Sequence, residues 1–160
     1  MLKGARLLHH LGLALFLGSI LTFAVASGVP RSGDLADLFL ARRIISAGTN
    51  VLTLPGLALL LMSGLGMVSL DRGRVKQTWV RVMLVAASVV VANAALVVLP
   101  AVASATALAA SSAQAGRLVE GYQRAYLIES VAGGINIVLT LVAAIAGVWR
   151  FGTASGSAIS

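Results

Sequence analysis

Two histidines, four methionines and one carboxylate inside an apolar run are the side chains with which this sequence can do chemistry. His9 and His10 stand near the start of the first apolar segment, about Leu7 to Gly28. An ionisable group within a membrane segment is a functional candidate by default, and a neutral imidazole is a ligand for metals and for haem iron. On a helix, His9 shares a face with Gly12, Phe16 and Ser19, a mixed face with small residues that suits the inside of a bundle. His10 shares its face with Leu13, Ala14, Leu17 and Leu21, which suits lipid. His9 is therefore the better ligand candidate. The plainer alternative is that both histidines lie in the headgroup zone and anchor the helix end.

The obvious use of one buried imidazole in a helical membrane bundle is axial ligation of b-type haem, which needs only one or two protein ligands. Met83 lies in the same leaflet as His9 and is the candidate second ligand; Met67 shares that leaflet and, with His10, forms the secondary pair. Apolar packing is the alternative role for both methionines. Zinc is disfavoured because the helices offer few further nitrogen, sulfur or carboxylate ligands. Copper calls for His and Met clustered at one mouth of the bundle, and Met1, His9, His10 and Met67 are a faint version of that. Glu129 is a candidate proton relay or interhelical hydrogen-bonding group, with a water-contacting interfacial position as the favoured alternative. Arg124, five residues before it, is too far round a helix to pair cleanly with it. Asn50, Asn93 and Asn136 are polar side chains within spans, and hydrogen bonding between helices accounts for them.

The elements that must position these groups follow from hydropathy. Of the 160 residues, 59% are hydrophobic and 11% charged, where a soluble domain carries about 25% charged residues. Mean hydropathy is +0.99. Four stretches are long enough to span a bilayer: about 7–28, 44–70, 79–100 and 126–149. Backbone groups in lipid must be satisfied within each span, so the expected class is all-α, a polytopic membrane protein built as an antiparallel four-helix transmembrane bundle. A single domain over 1–151 and a flexible tail over 152–160 are expected. Pro55 predicts a kink inside the second span. The segment from Ala101 to Gln123 is too weakly apolar for a fifth span; it predicts a helical extension of the third, then a turn at Gly116 or Gly121. Gly12, Gly18, Gly64, Gly66, Gly133 and Gly134 suit close helix packing. The same small-residue surfaces suit a homo-oligomer or a place in a larger membrane complex.

The net charge of +7 does not indicate nucleic acid, because the Lys and Arg residues sit mainly in the gaps between apolar runs, as membrane loops require. There is no cysteine, which excludes disulfides and thiolate-held metal, and no nucleophile–histidine–carboxylate set for a soluble hydrolase. Seven Lys and Arg residues fall on the side of the N-terminus and five, including Arg31, Arg42 and Arg43, on the other, which favours cytoplasmic N- and C-termini. Trp79 and Trp149 fall at one interface, Tyr122 and Tyr126 at the other.

His9 followed by Phe16-Leu17-Gly18-Ser19, with Leu54-Pro55-Gly56 and Ser63-Gly64-Leu65 in the second span, resembles a bacterial superfamily of small helical membrane proteins. It includes HemJ-type protoporphyrinogen oxidases, CopD-type copper resistance proteins and a large uncharacterised branch. The resemblance implies an inner-membrane protein with a haem-ligating histidine at His9. HemJ-type proteins look to carry a lysine a few residues after the third-helix tryptophan; here Met83 stands in that place after Trp79. The leading expectation is thus a b-haem membrane protein serving electron transfer or acting as an accessory subunit. A HemJ-like oxidase, a cofactor-free small subunit of a larger complex and a copper-handling protein are the alternatives.

Overall fold

The computed structural model describes residues 2–28, 34–70 and 72–149, and side chains within them except those of Leu2, Arg72 and Arg74. The expected tail over 152–160 lies outside the described residues. The described residues form helices without strands: α1 (Leu2–Gly28), α2 (Leu35–Gly48), α3 (Leu54–Leu70), α4 (Thr78–Asn93), α5 (Leu99–Ala115) and α6 (Tyr122–Trp149). A π-turn at Thr49–Thr53 joins α2 to α3, and another at Ala94–Val98 joins α4 to α5. These joined helices give, with α1 and α6, four rods long and apolar enough to cross a membrane: Lys3–Gly28, Leu35–Leu70, Thr78–Ala115 and Tyr122–Trp149.

The second rod begins at Leu35, nine residues before the expected start at Ile44. Asp34 caps it: its Oδ1 accepts from Ala36 N at 2.9 Å and Asp37 N at 3.0 Å, satisfying two donors of the first turn. Arg42 and Arg43 are consequently inside a helix, not in the preceding loop. The third rod runs to Ala115 through the expected extension, and the fourth begins at Tyr122, four residues early. Both glycines expected at the intervening turn have positive φ, 63° at Gly116 and 89° at Gly121, a region that costs L-residues a clash at Cβ. Ser112 holds this turn, donating to Leu108 O at 2.7 Å and accepting from Val119 N at 3.0 Å.

The irregularity expected at Pro55 is the first π-turn, where Leu54 N bonds Thr49 O. The second stands in the same relation to Pro100, with Leu99 N bonding Ala94 O. Proline has no N–H and its ring crowds the carbonyl four residues back; widening the helix by one residue lets the rod continue past it.

Contacts between rods run in opposite senses along the chain. His9 meets Leu60 while Ser19 meets Thr53, and Met83 lies against Gly147 while Asn93 meets Asn136. At one end of the bundle α1 packs on α3, and α4 on α6; at the other α2 packs on α5 and α5 on the start of α6. The long rods of 36 and 38 residues extend about 54–57 Å, beyond the roughly 30 Å apolar core of a bilayer. Their ends close on each other through small residues: Ala105 and Ala109 are fully buried with Tyr122 and Ala125, and Leu38, Phe39 and Leu108 pack around them. A second core of Phe16, Leu57, Val90 and Ala94 sits where α1, α3 and α4 meet. Outward, α6 exposes Leu127, Val131, Val138 and Ile145, an apolar surface that suits lipid.

Candidate functional site

His9 projects from the first turns of α1 toward α3. Its Nδ1 lies 3.1 Å from the Leu60 carbonyl oxygen and 3.2 Å from Ser63 Oγ. The carbonyl can only accept, so Nδ1 carries the hydrogen and donates, and the lone pair of the neutral ring falls on Nε2. The Ser63 hydroxyl is itself committed as a donor to carbonyls of its own helix, Leu59 at 2.5 Å and Leu60 at 3.1 Å, which leaves its oxygen to accept from the ring. Nε2 has no protein hydrogen-bond partner among the described residues. This is the arrangement of ligating histidines generally, where a carbonyl on one ring nitrogen fixes the tautomer and presents the other to the ligand. Gly64 makes room for the ring: a Cβ there would stand 3.4 Å from His9 Cε1.

His9 lines a cavity of about 520 Å³ between α1, α3, α4 and α6. Met67, Trp79 and Met83 line it too, and the remaining wall is almost wholly apolar, with Leu57, Leu61, Val80 and Leu139 among its side chains. The size falls within the roughly 300–1,000 Å³ of small-molecule and cofactor sites, which are mostly apolar with a few placed polar groups. The Met83 sulfur rests on α6, where a Cβ at Gly147 would lie 3.5 Å from it. The structure thus brings His9, Met67 and Met83 to one cavity.

It leaves His10 out. That ring is exposed, with Nδ1 2.6 Å from the Arg6 carbonyl of its own helix. Gly12, Phe16 and Ser19, on the face shared with His9, are all buried, whereas Ala14 and Leu21, on the face shared with His10, are exposed.

Glu129 lies in the other half of the bundle, half-buried and bonded between helices rather than freely solvated. Its Oε2 accepts from Arg42 Nη2 in an ion pair between α6 and α2, with the arginine 1% exposed. Each residue stands seven positions into its helix, about 10 Å along the axis, so the two meet at one level. Arg42 Nε and Nη1 are buried and have no partner among the described residues. Sequence reasoning missed this arginine because it placed the helix start after it. The signal was Asp34, a good N-cap residue followed three positions later by Asp37.

The three asparagines divide. Asn93 Nδ2 donates to Asn136 Oδ1 and to Ala132 O, both at 2.8 Å, tying α4 to α6 as interhelical bonding requires. Asn50 is exposed and donates to Ser46 O of its own helix at 3.0 Å, so its expected role between helices does not hold. Among the described residues no group of three or more His, Cys, Asp or Glu side chains converges on a point.

No curated protein and no solved structure matches the chain. One family does, over residues 4–158, and its description, a predicted integral membrane protein, agrees with the four apolar rods. With almost its whole length matched, the chain belongs to the DUF2269 family of predicted integral membrane proteins.

Proposed function

We propose that the cavity between α1, α3, α4 and α6 would hold a b-type haem through His9 Nε2, with Met83 as the second ligand, and that the protein serves electron transfer or acts as a haem-bearing accessory subunit. The observation that carries this reading is the Nδ1 bond to the Leu60 carbonyl, which leaves Nε2 as the ligating nitrogen on an apolar cavity of cofactor size. The resemblance of the His9 and Phe16-Leu17-Gly18-Ser19 pattern to the HemJ- and CopD-containing superfamily supports it. When bound, haem supplies one-electron redox chemistry; the chain holds the imidazole tautomer, excludes water with its leucine and valine wall, and sets the second ligand.

A visible spectrum of the detergent-purified protein, oxidised and dithionite-reduced, tests the proposal. The expected result is a Soret band with sharp reduced bands, both lost in His9→Ala. Met83→Ala is expected to keep the pigment and lower the reduction potential, because a methionine ligand raises it. A wild-type protein that stays colourless after expression with added haem would sink the reading.

The membrane is the bacterial inner membrane, and both termini face the cytoplasm. Arg42 is neutralised inside the bundle by Glu129, so the remaining Lys and Arg residues stand at seven on the N-terminal side against four on the other. A cysteine introduced at exposed Lys3 is expected to resist membrane-impermeant thiol reagents in intact cells, and one at exposed Arg117 to react. The reverse pattern would invert the orientation.

A further inference from the structure

The molecule has a second cavity, about 360 Å³, that the haem proposal does not use. It is separated from the first by the core of Phe16, Leu57, Val90 and Ala94. Both π-turns face it: Thr49 and Thr53 from one, Ala94 and Val98 from the other. Glu129 lines it from α6. π-Turns are rare and concentrate at functional sites, and proline-interrupted spans that meet in the middle of a membrane bundle point to a binding site. Here two such interruptions meet on one cavity.

The polar groups at that end specify the occupant. Arg42 and Glu129 cancel in charge, so the site favours a neutral molecule. Glu129 meets the guanidinium through Oε2 alone, which leaves its carboxylate with acceptor capacity for an incoming O–H. An O–H seated in the cavity can donate its hydrogen to the remaining oxygen of that carboxylate. The wall is otherwise mostly apolar and lies within the bundle, so the molecule must be lipid-soluble.

We propose that this second cavity binds the hydroxylated ring of a neutral, lipid-soluble molecule of the quinol class, with its hydroxyl against Glu129. The site goes beyond the haem reading and does not require it.

The test is a fluorescence titration of the purified full chain with 2-heptyl-4-hydroxyquinoline N-oxide, a quinol analogue. Saturable binding at about one molecule per chain is expected. Glu129→Gln is expected to weaken it about tenfold or more, a loss of roughly 1.4 kcal/mol. Because that variant disturbs a buried ion pair, Gly133→Leu serves beside it: Gly133 lines the cavity, and a Cβ there meets nothing within 4 Å, so the new side chain fills the ligand's space while both members of the pair are retained. It is expected to abolish binding while helix content is kept. His9→Ala, in the other cavity, is expected to bind normally, so the failure of haem ligation and the failure of this site read separately. No saturable binding, binding unchanged in Gly133→Leu, or binding lost in His9→Ala would each overturn the proposal.

Discussion

Arg42→Met lowers the stability of the purified protein by about 3–5 kcal/mol, the cost of leaving the partner charge buried and alone. The expectation rests on the burial of Arg42 and on its ion pair with Glu129, which spans 87 residues of sequence and joins α2 to α6. Glu129→Leu alone is expected to cost a similar amount, since the guanidinium then loses its only protein acceptor among the described residues. The double variant Arg42→Met/Glu129→Leu recovers most of the loss, because apolar replacement of a whole buried pair is often neutral or stabilising. Arg43→Met is the control: that side chain is exposed over the Phe39 ring at 5.9 Å, and its loss is expected to cost no more than about 1 kcal/mol. Thermal or denaturant unfolding in detergent reads all four. An Arg42 effect no larger than that of Arg43 would show that the pair does not hold the bundle together. If the double variant is as unstable as either single one, the pair is contributing more than the avoidance of a lone charge.

Gly12→Val is the second large effect. A Cβ at Gly12 would stand 2.6 Å from Leu60 N and 2.9 Å from Gly56 O; one at Gly56 would stand 2.7 Å from Phe16 N. The atoms met are backbone, which cannot swing aside, so α1 and α3 must move apart. Overpacking of a tight core costs about 1–3 kcal/mol, and loss of the close α1–α3 seam places this substitution at the upper end. The functional consequence is separate from the stability loss. The partners of the His9 ring, Leu60 and Ser63, lie on the helix that is displaced, so the imidazole loses the carbonyl that sets its tautomer. The haem spectrum of Gly12→Val is therefore expected to weaken or broaden even below the unfolding temperature. Gly18→Ala on the same helix meets nothing within 4 Å and is expected to leave both stability and spectrum unchanged, or to add a few tenths of a kcal/mol through helix propensity. Equal effects from Gly12→Val and Gly18→Ala would contradict the seam.

This contrast shows where the sequence stops informing. Gly12 and Gly18 were both expected to suit close helix packing, yet one lies at a helix crossing and the other, off the inward face of His9, meets open space. Gly64 and Gly66 divide in the same way, with the first against the His9 ring and the second against nothing. A crossing point depends on the tilt and rotation of two helices, which no single helix encodes. The proline-linked π-turn at Ala94–Val98 was equally silent, because Pro100 sits at what hydropathy marks as a span end.

By itself the sequence determined the class, the four rods, the inward face of His9 and the turn at Gly116 and Gly121. Each follows from a local rule: apolar length against bilayer thickness, side-chain period on a helix, and the freedom of glycine at positive φ. Tertiary structure alone decided that Leu60 and Ser63 orient His9, that Met67 and Met83 share its cavity, and that Arg42 answers Glu129. The reason is that each of these is a distance between separate helices. In lipid, where apolar surface gives little preference for one packing over another, that distance is set by a few close backbone approaches and buried polar pairs rather than by the pattern along any one chain segment.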